Sequence, residues 1–194
     1  MSEHDVDRPD PPTRGIQHGV VVDNADPLRI MRVRVRIPGL IDDRSGWALP
    51  AAVPGGGEAG LGWYAAPPIG AEVYVWALQG DIDTLTYAPG HWGAPGGSPQ
   101  SPSFVRDLSP TDAVQVRGFE TPRFTMVFDD RGGRESFEIR DKVSGDRIVM
   151  DGTTRSIEIS STTALRIKSL GAISIDGTAV TINNRAVLPT GRPI

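Results

Sequence analysis

Residues 146–187 read DRIVM DGTTRSIEIS STTALRIKSL GAISIDGTAV TINNRAV, and one phrase recurs through them. Two β-formers flank a single residue, then the chain turns. The pairs are Ile148/Met150, Ile157/Ile159, Leu165/Ile167, Ile173/Ile175 and Val180/Ile182, stepping by seven to nine residues. Side chains alternate faces along a strand, so both members of each pair point the same way. Between them stand turn formers: Asp151-Gly152-Thr153, Ser160-Ser161-Thr162, Ser169-Leu170-Gly171, Asp176-Gly177-Thr178 and Asn183-Asn184. Each short strand thus has one narrow apolar face and nothing nearby to bury it against. Repeats of this kind must stack, usually on other chains.

A single-chain β-helix spends about three strands on each coil, so the five to eight strands here give only two or three coils with open ends. An intertwined trimer solves the problem, because each chain supplies one side of every layer and the ten pair residues meet on the axis. Burial there stabilises by about 2 kcal/mol per side chain. At about 4.7 Å per layer, eight layers make a rod of roughly 40 Å. Thr153, Arg155, Glu158, Arg166 and Lys168 would coat it.

Outward from the repeats, the rest of the chain is also β-rich. Its 194 residues suffice for one ordinary domain or two small ones. Gly (23) and Pro (17) make up about a fifth of the chain, which favours short strands and turns. Residues 15–93 read as a small closed barrel. Gly19 to Asp23 is one strand, Met31 to Ile37 a strict alternation ended by Pro38-Gly39, Ala71 to Trp76 a third, and Thr84 to Tyr87 a weaker fourth. Closure would remove exposed edges. Trp47, Trp63, Trp76 and Trp92 are expected in the barrel core and in packing between domains. Residues 94–121 read as a linker and polar bridge. Residues 122–187 form a hairpin-like lead-in, with strands at Phe124 to Phe128 and Ser136 to Ile139, followed by the repeats. Residues 1–14 read as a disordered arm by composition, and 188–194 as the tip.

Net charge is −4, which argues against a general nucleic-acid binder, and the absence of cysteine excludes disulfides and thiolate chemistry. The polar, Pro-rich start has no apolar signal region, and no apolar run reaches transmembrane length. Candidate chemistry is sparse. Asp42/Asp43, Asp81/Asp83 and Asp129/Asp130 could each form a glycosidase-like pair, but all sit in turns beside Gly or Arg. Pro54-Gly55-Gly56-Gly57 lacks the Lys and the following helix of a phosphate loop. His18 and His91 have no partner at ligand spacing, so neither a metal nor any other cofactor is expected. No catalytic Ser/His/Asp set stands out, and residues 146–187 contain no aromatic to line a sugar groove. Arg32, Arg34 and Arg36 share a strand face, which leaves single-stranded nucleic acid as the alternative ligand of the barrel. The nearest aromatic candidates, Trp63, Tyr64, Tyr74 and Trp76, do not alternate with those arginines.

The order of several motifs resembles the OB-fold domain of central spike proteins of contractile injection machines, the phage baseplate assembly protein V and VgrG family. The matching residues are Gly19-Val20-Val21-Val22, Arg32 through Pro38 and Gly39, Trp47-Ala48, Pro54 to Gly57, Gly60, Pro68-Ile69-Gly70-Ala71-Glu72-Val73-Tyr74-Val75 and Gly80-Asp81-Ile82-Asp83. Phe128-Asp129-Asp130 with Gly133, Glu135 and Ile139 resembles the start of the family's triple-stranded β-helix. The resemblance implies an all-β chain: an N-terminal OB-fold barrel, then a C-terminal intertwined trimeric β-helix (β-prism) rod. It implies a non-enzymatic homotrimer that caps a tail hub and pierces the target cell envelope when the sheath contracts. The location expected is a virion tail baseplate or an extracellular injection particle, assembled in the cytoplasm. Residues 94–121 are too short for an inserted lysozyme, and about 14 residues precede the barrel, which implies a separate hub protein. The C-terminal region lacks histidines for an apical metal, which implies instead a PAAR-type tip protein seated on Val187, Leu188, Pro189 and Ile194.

Overall fold

The computed structural model describes residues 15–56, 58–183 and 185–187. The chain divides into two compact units, one ending at Gln100 and the other beginning at Ser101.

The first unit is a curled five-stranded sheet made of β1 (Gln17–Asp23), β2 (Arg34–Arg36), β3 (Leu49–Pro50), β4 (Glu72–Leu78) and β5 (Asp81–Pro89), in the order β2-β1-β4-β5-β3. All neighbours are antiparallel except β3 with β5. The edges meet through one pair: Val33 and Ala48 exchange both backbone hydrogen bonds, at 3.1 and 2.8 Å. Alternation sorts the side chains by face, so Val21, Val33, Val35, Val73, Val75, Leu85 and Tyr87 fill the interior. The motif residues serve this framework. Val73 and Val75 are core; Gly39, Gly70 and Gly80 take positive φ in the turns marked by Pro38, Pro68 and Asp81.

Three expectations about this unit change. The strand expected over Met31 to Ile37 is regular only at Arg34–Arg36, because the Asp26 carboxylate accepts hydrogen bonds from the backbone N–H of Leu28, Ile30 and Arg32. That grip curls the preceding loop and puts Met31 at φ 64°. The strand expected to be weakest, at Thr84 to Tyr87, belongs to the nine-residue β5. None of the four tryptophans is in the core; Trp63 and Trp92 are exposed and Trp47 and Trp76 half-buried. Tyr87 takes that role. Its hydroxyl donates to the Met31 carbonyl at 2.6 Å, and burial pushes its pKa up to about 12, with the nearby Tyr64 adding to the shift.

The second unit begins inside the segment read as a linker. Two short helices, α1 (Ser103–Arg106) and α2 (Pro110–Ala113), precede β6 (Val116–Glu120). The Ser109 hydroxyl caps α2 by accepting from the Asp112 N–H, with Pro110 in the first turn. β6 escapes sequence reading because Gly118 interrupts its apolar pattern. The glycine is needed: a Cβ there would stand 2.5 Å from the Met126 carbonyl oxygen and 2.9 Å from the Phe104 ring. From β6 the chain runs as an antiparallel meander through β7 (Phe124–Asp129), β8 (Ser136–Asp141), β9 (Arg147–Asp151) and β10 (Ser156–Ser160). Residues 161–180 carry no strand in the single chain. β11 (Thr181–Ile182) and β12 (Arg185–Ala186) pair beyond them. Among the described residues, no helix is long and apolar enough to cross a membrane.

Candidate functional site

The register of the meander sorts its residues into two chemically opposite faces. Met126 lies opposite Ile139, which lies opposite Ile148, which lies opposite Ile159. One step along, Phe128, Phe137, Met150 and Ile157 form a second row. Directly opposed residues share a face, so these rows, with Phe119 and Phe124, make one continuous apolar surface. Phe128 and Phe137 stack at 4.6 Å between ring centroids. Ile148, Met150, Ile157 and Ile159 are 41–70 % exposed in the single chain. An apolar sheet face of this extent marks an interaction surface.

The other face is polar and internally paired. Glu138 holds Arg140, and Arg147 holds Glu158, at 2.8 and 2.9 Å. At one end Glu120 accepts from the Ser103 N–H, the Ser103 hydroxyl and the Lys142 ammonium, which ties α1 to the sheet. Lys142 holds the Glu120 carboxyl below its usual range. Val127 and Val149 also lie on this face, and the Phe104 ring stands over Gly118 there, so its apolar part is small and partly covered within the unit.

Of the residues expected on a trimer axis, the structure brings Ile148, Met150, Ile157 and Ile159 onto this face. Leu165 lies at its margin, beside a groove lined by Phe124, Ile139, Ile148 and Ile159. The chain is held there by Asp146, which accepts from both the N–H and the hydroxyl of Thr162. Ile167, Ile173, Ile175 and Ile182 are exposed, and Val180 is half-buried, with its carbonyl accepting from the Val187 N–H at 2.8 Å. Leu188, Pro189 and Ile194 lie outside the described residues. Sequence reading missed Phe119, Phe124, Met126, Phe128, Phe137 and Ile139 as members of the face. Their spacing of two along each strand was the available signal.

In two of the three carboxylate pairs one member is engaged locally, and in the third both are. Asp42 accepts from the Gly39 N–H; Asp81 accepts from the Asp83 N–H and the Thr84 hydroxyl. Asp129 grips Arg131, and Asp130 pairs with Arg117. Two of the three arginines on the strand face of the first unit are engaged, while Arg36 is exposed. Arg32 pairs with Asp26 at 2.6 Å, and Arg32 and Arg34 both lie over Trp47, 5.3 and 4.5 Å from its ring. Trp47, which is not among the aromatics that sequence reading sets beside them, thus meets Arg32 and Arg34, and its ring is covered by their guanidinium groups. His18 and His91, isolated in sequence, stand together with Tyr74 on the outer face of the sheet.

Acid should loosen the second unit. The Arg123 guanidinium, helped by the Val143 and Ser144 N–H groups, holds the Asp141 carboxyl down to about 2. Asp146 is lowered by Thr162, and Asp129 by Arg131. A carboxyl whose folded pKa lies below its unfolded value stabilises the fold above the unfolded value, near 3.8, and stops doing so as pH falls through the folded one. Thermal melts should therefore be flat near neutrality and fall between about pH 4 and pH 2. Asp141→Asn should flatten part of that decline.

No curated protein matches the chain. Residues 17–92, which hold the curled sheet from β1 to the segment after β5, match the family model described as the Type VI secretion system/phage-baseplate injector OB domain, and it is over this stretch that the chain is similar to that family.

Proposed function

We propose that this protein is the structural central spike of a contractile tail or injection machine, working as a homotrimer without catalytic residues. The observation that carries the reading is the apolar face running from Phe119 to Ile159, exposed in the single chain and continued by the pairs at Leu165/Ile167, Ile173/Ile175 and Val180/Ile182. The injector-type OB match over residues 17–92 supports placing it in a tail or baseplate particle. In this reading three chains bring their apolar faces to one axis and the repeat pairs continue the core as an intertwined β-helix. The OB units meet a separate tail hub protein. The far end, at Val187 and beyond, seats a PAAR-type tip protein. Sheath contraction drives the rod through the target envelope, a task that needs stiffness from paired backbone groups rather than chemistry. The engagement of Arg32 and Arg34 with Asp26 and Trp47 favours this over an OB module for single-stranded nucleic acid.

The test is the solution mass by light scattering, with the same sample run unboiled on an SDS gel. The expected result is three times the 20.8 kDa chain, resisting SDS until heated. A monomer would overturn the proposal.

A further inference from the structure

The outer face of the first sheet carries three rings that sequence keeps far apart. His18 projects from β1 and Tyr74 from its cross-strand partner position on β4. His91 follows β5, two residues beyond its end. The chain reaches this place by a close approach: the Gly90 N–H donates to the Glu72 carbonyl at 3.2 Å, and a Cβ at position 90 would stand 2.4 Å from that same oxygen. Only glycine passes there, and the residue after it lands on Tyr74. His18 lies 5.2 Å from Tyr74 and 6.0 Å from His91, between ring centroids, while Tyr74 and His91 stack at 5.9 Å. The Tyr74 hydroxyl is 2.8 Å from His91 Nδ1.

We propose that His18 and His91 form a two-imidazole site for a divalent transition metal ion, with Tyr74 orienting His91. Imidazole nitrogens bind such ions at about 2.0–2.1 Å, which places the centroids of two rings on one ion about 4.5 Å apart when they are cis and about 6.4 Å apart when they are trans. The observed separation of 6.0 Å lies within that span, and the exposed His18 ring can turn towards an ion while Tyr74 holds His91. Nδ1 of His91 is engaged by the phenol, so Nε2 is its ligating atom. A bonded second nitrogen is the usual means by which proteins fix the tautomer and ring plane of a metal-binding histidine. No third His, Cys, Asp or Glu among the described residues joins the pair, so water completes the coordination and the ion exchanges readily. Imidazole donors without carboxylates select Cu²⁺ ahead of Ni²⁺ and Zn²⁺ and disfavour Mg²⁺ and Ca²⁺. The site lies wholly within the first unit and does not depend on the trimer.

The test uses the full chain carrying His4→Ala, which removes the third histidine, titrated calorimetrically with Cu²⁺ and then Zn²⁺ chloride. The expected result is one ion per chain, with copper the tighter. His18→Ala or His91→Ala should lower the affinity at least tenfold. Tyr74→Phe should lower it about tenfold with the stoichiometry unchanged, the size of effect that outer hydrogen-bond partners have at metal sites. Electron paramagnetic resonance of the copper form, with both histidines intact, should show coupling to two imidazole nitrogens. Absence of binding, or equal binding by the His18→Ala/His91→Ala double variant, would overturn the proposal. So would a copper spectrum with one nitrogen or none.

Discussion

In the proposed homotrimer, Ile159→Asp, or Ile175→Asp, is expected to abolish assembly, with the solution mass falling from three chains to one. In an assembled rod each substitution sets three carboxylates against one another on a dry axis, with no counter-charge. Burying an unpaired ion costs several kcal/mol even after relaxation, and here three like charges share the site. The single chain, by contrast, tolerates the change, because Ile159 is 52 % and Ile175 69 % exposed within it. The variants should therefore remain β-rich by circular dichroism while losing the trimer. Phe128→Asp, on the same face but ahead of the repeats, should behave alike. An intact trimer in the Ile159 variant would remove the apolar face from any role in assembly.

Asp26→Ala should cost the first unit more stability than any other single replacement of a charged residue there. Its side chain is 1 % exposed and accepts from three backbone N–H groups and from the Arg32 guanidinium. Those donors hold its carboxyl well below the usual range, Arg32 contributing most. The loop it grips carries Arg29 and Met31 at positive φ, a conformation that non-glycine residues adopt only when neighbours impose it. The same loop presents the Met31 carbonyl to the buried Tyr87 hydroxyl. Removing the carboxylate strands Arg32, frees the loop and leaves Tyr87 without its acceptor in place. A fall in Tm on the order of 10 °C is expected. Asp26→Asn, which keeps an acceptor oxygen but not the charge, should fall between. A melt matching the wild type would show that the loop is held by other contacts.

Features that depend only on neighbours along the chain are legible before any fold is known. Strand identity at Val73 and Val75, the turns at Pro38-Gly39 and Gly80-Asp81, and the same-side pairs Ile148/Met150 and Ile157/Ile159 all follow from period two and turn chemistry. Where alternation was interrupted, reading failed: Gly118 hid β6, and the Asp26 grip shortened the strand before Pro38. What lies opposite what is set by strand pairing in three dimensions. Register across β7 to β10 joined Phe128 and Phe137 to the isoleucines as one face, although no single strand shows more than three members of it. Closure through Val33 and Ala48 turned Trp47 outward beneath Arg32 and Arg34 and left the core to Tyr87. The approach of Gly90 to Glu72 brought His91 to His18 across 73 positions of sequence. The physical reason is the same each time: side-chain direction is set by each residue's own backbone, whereas proximity is set by strand pairing, which a local pattern does not encode.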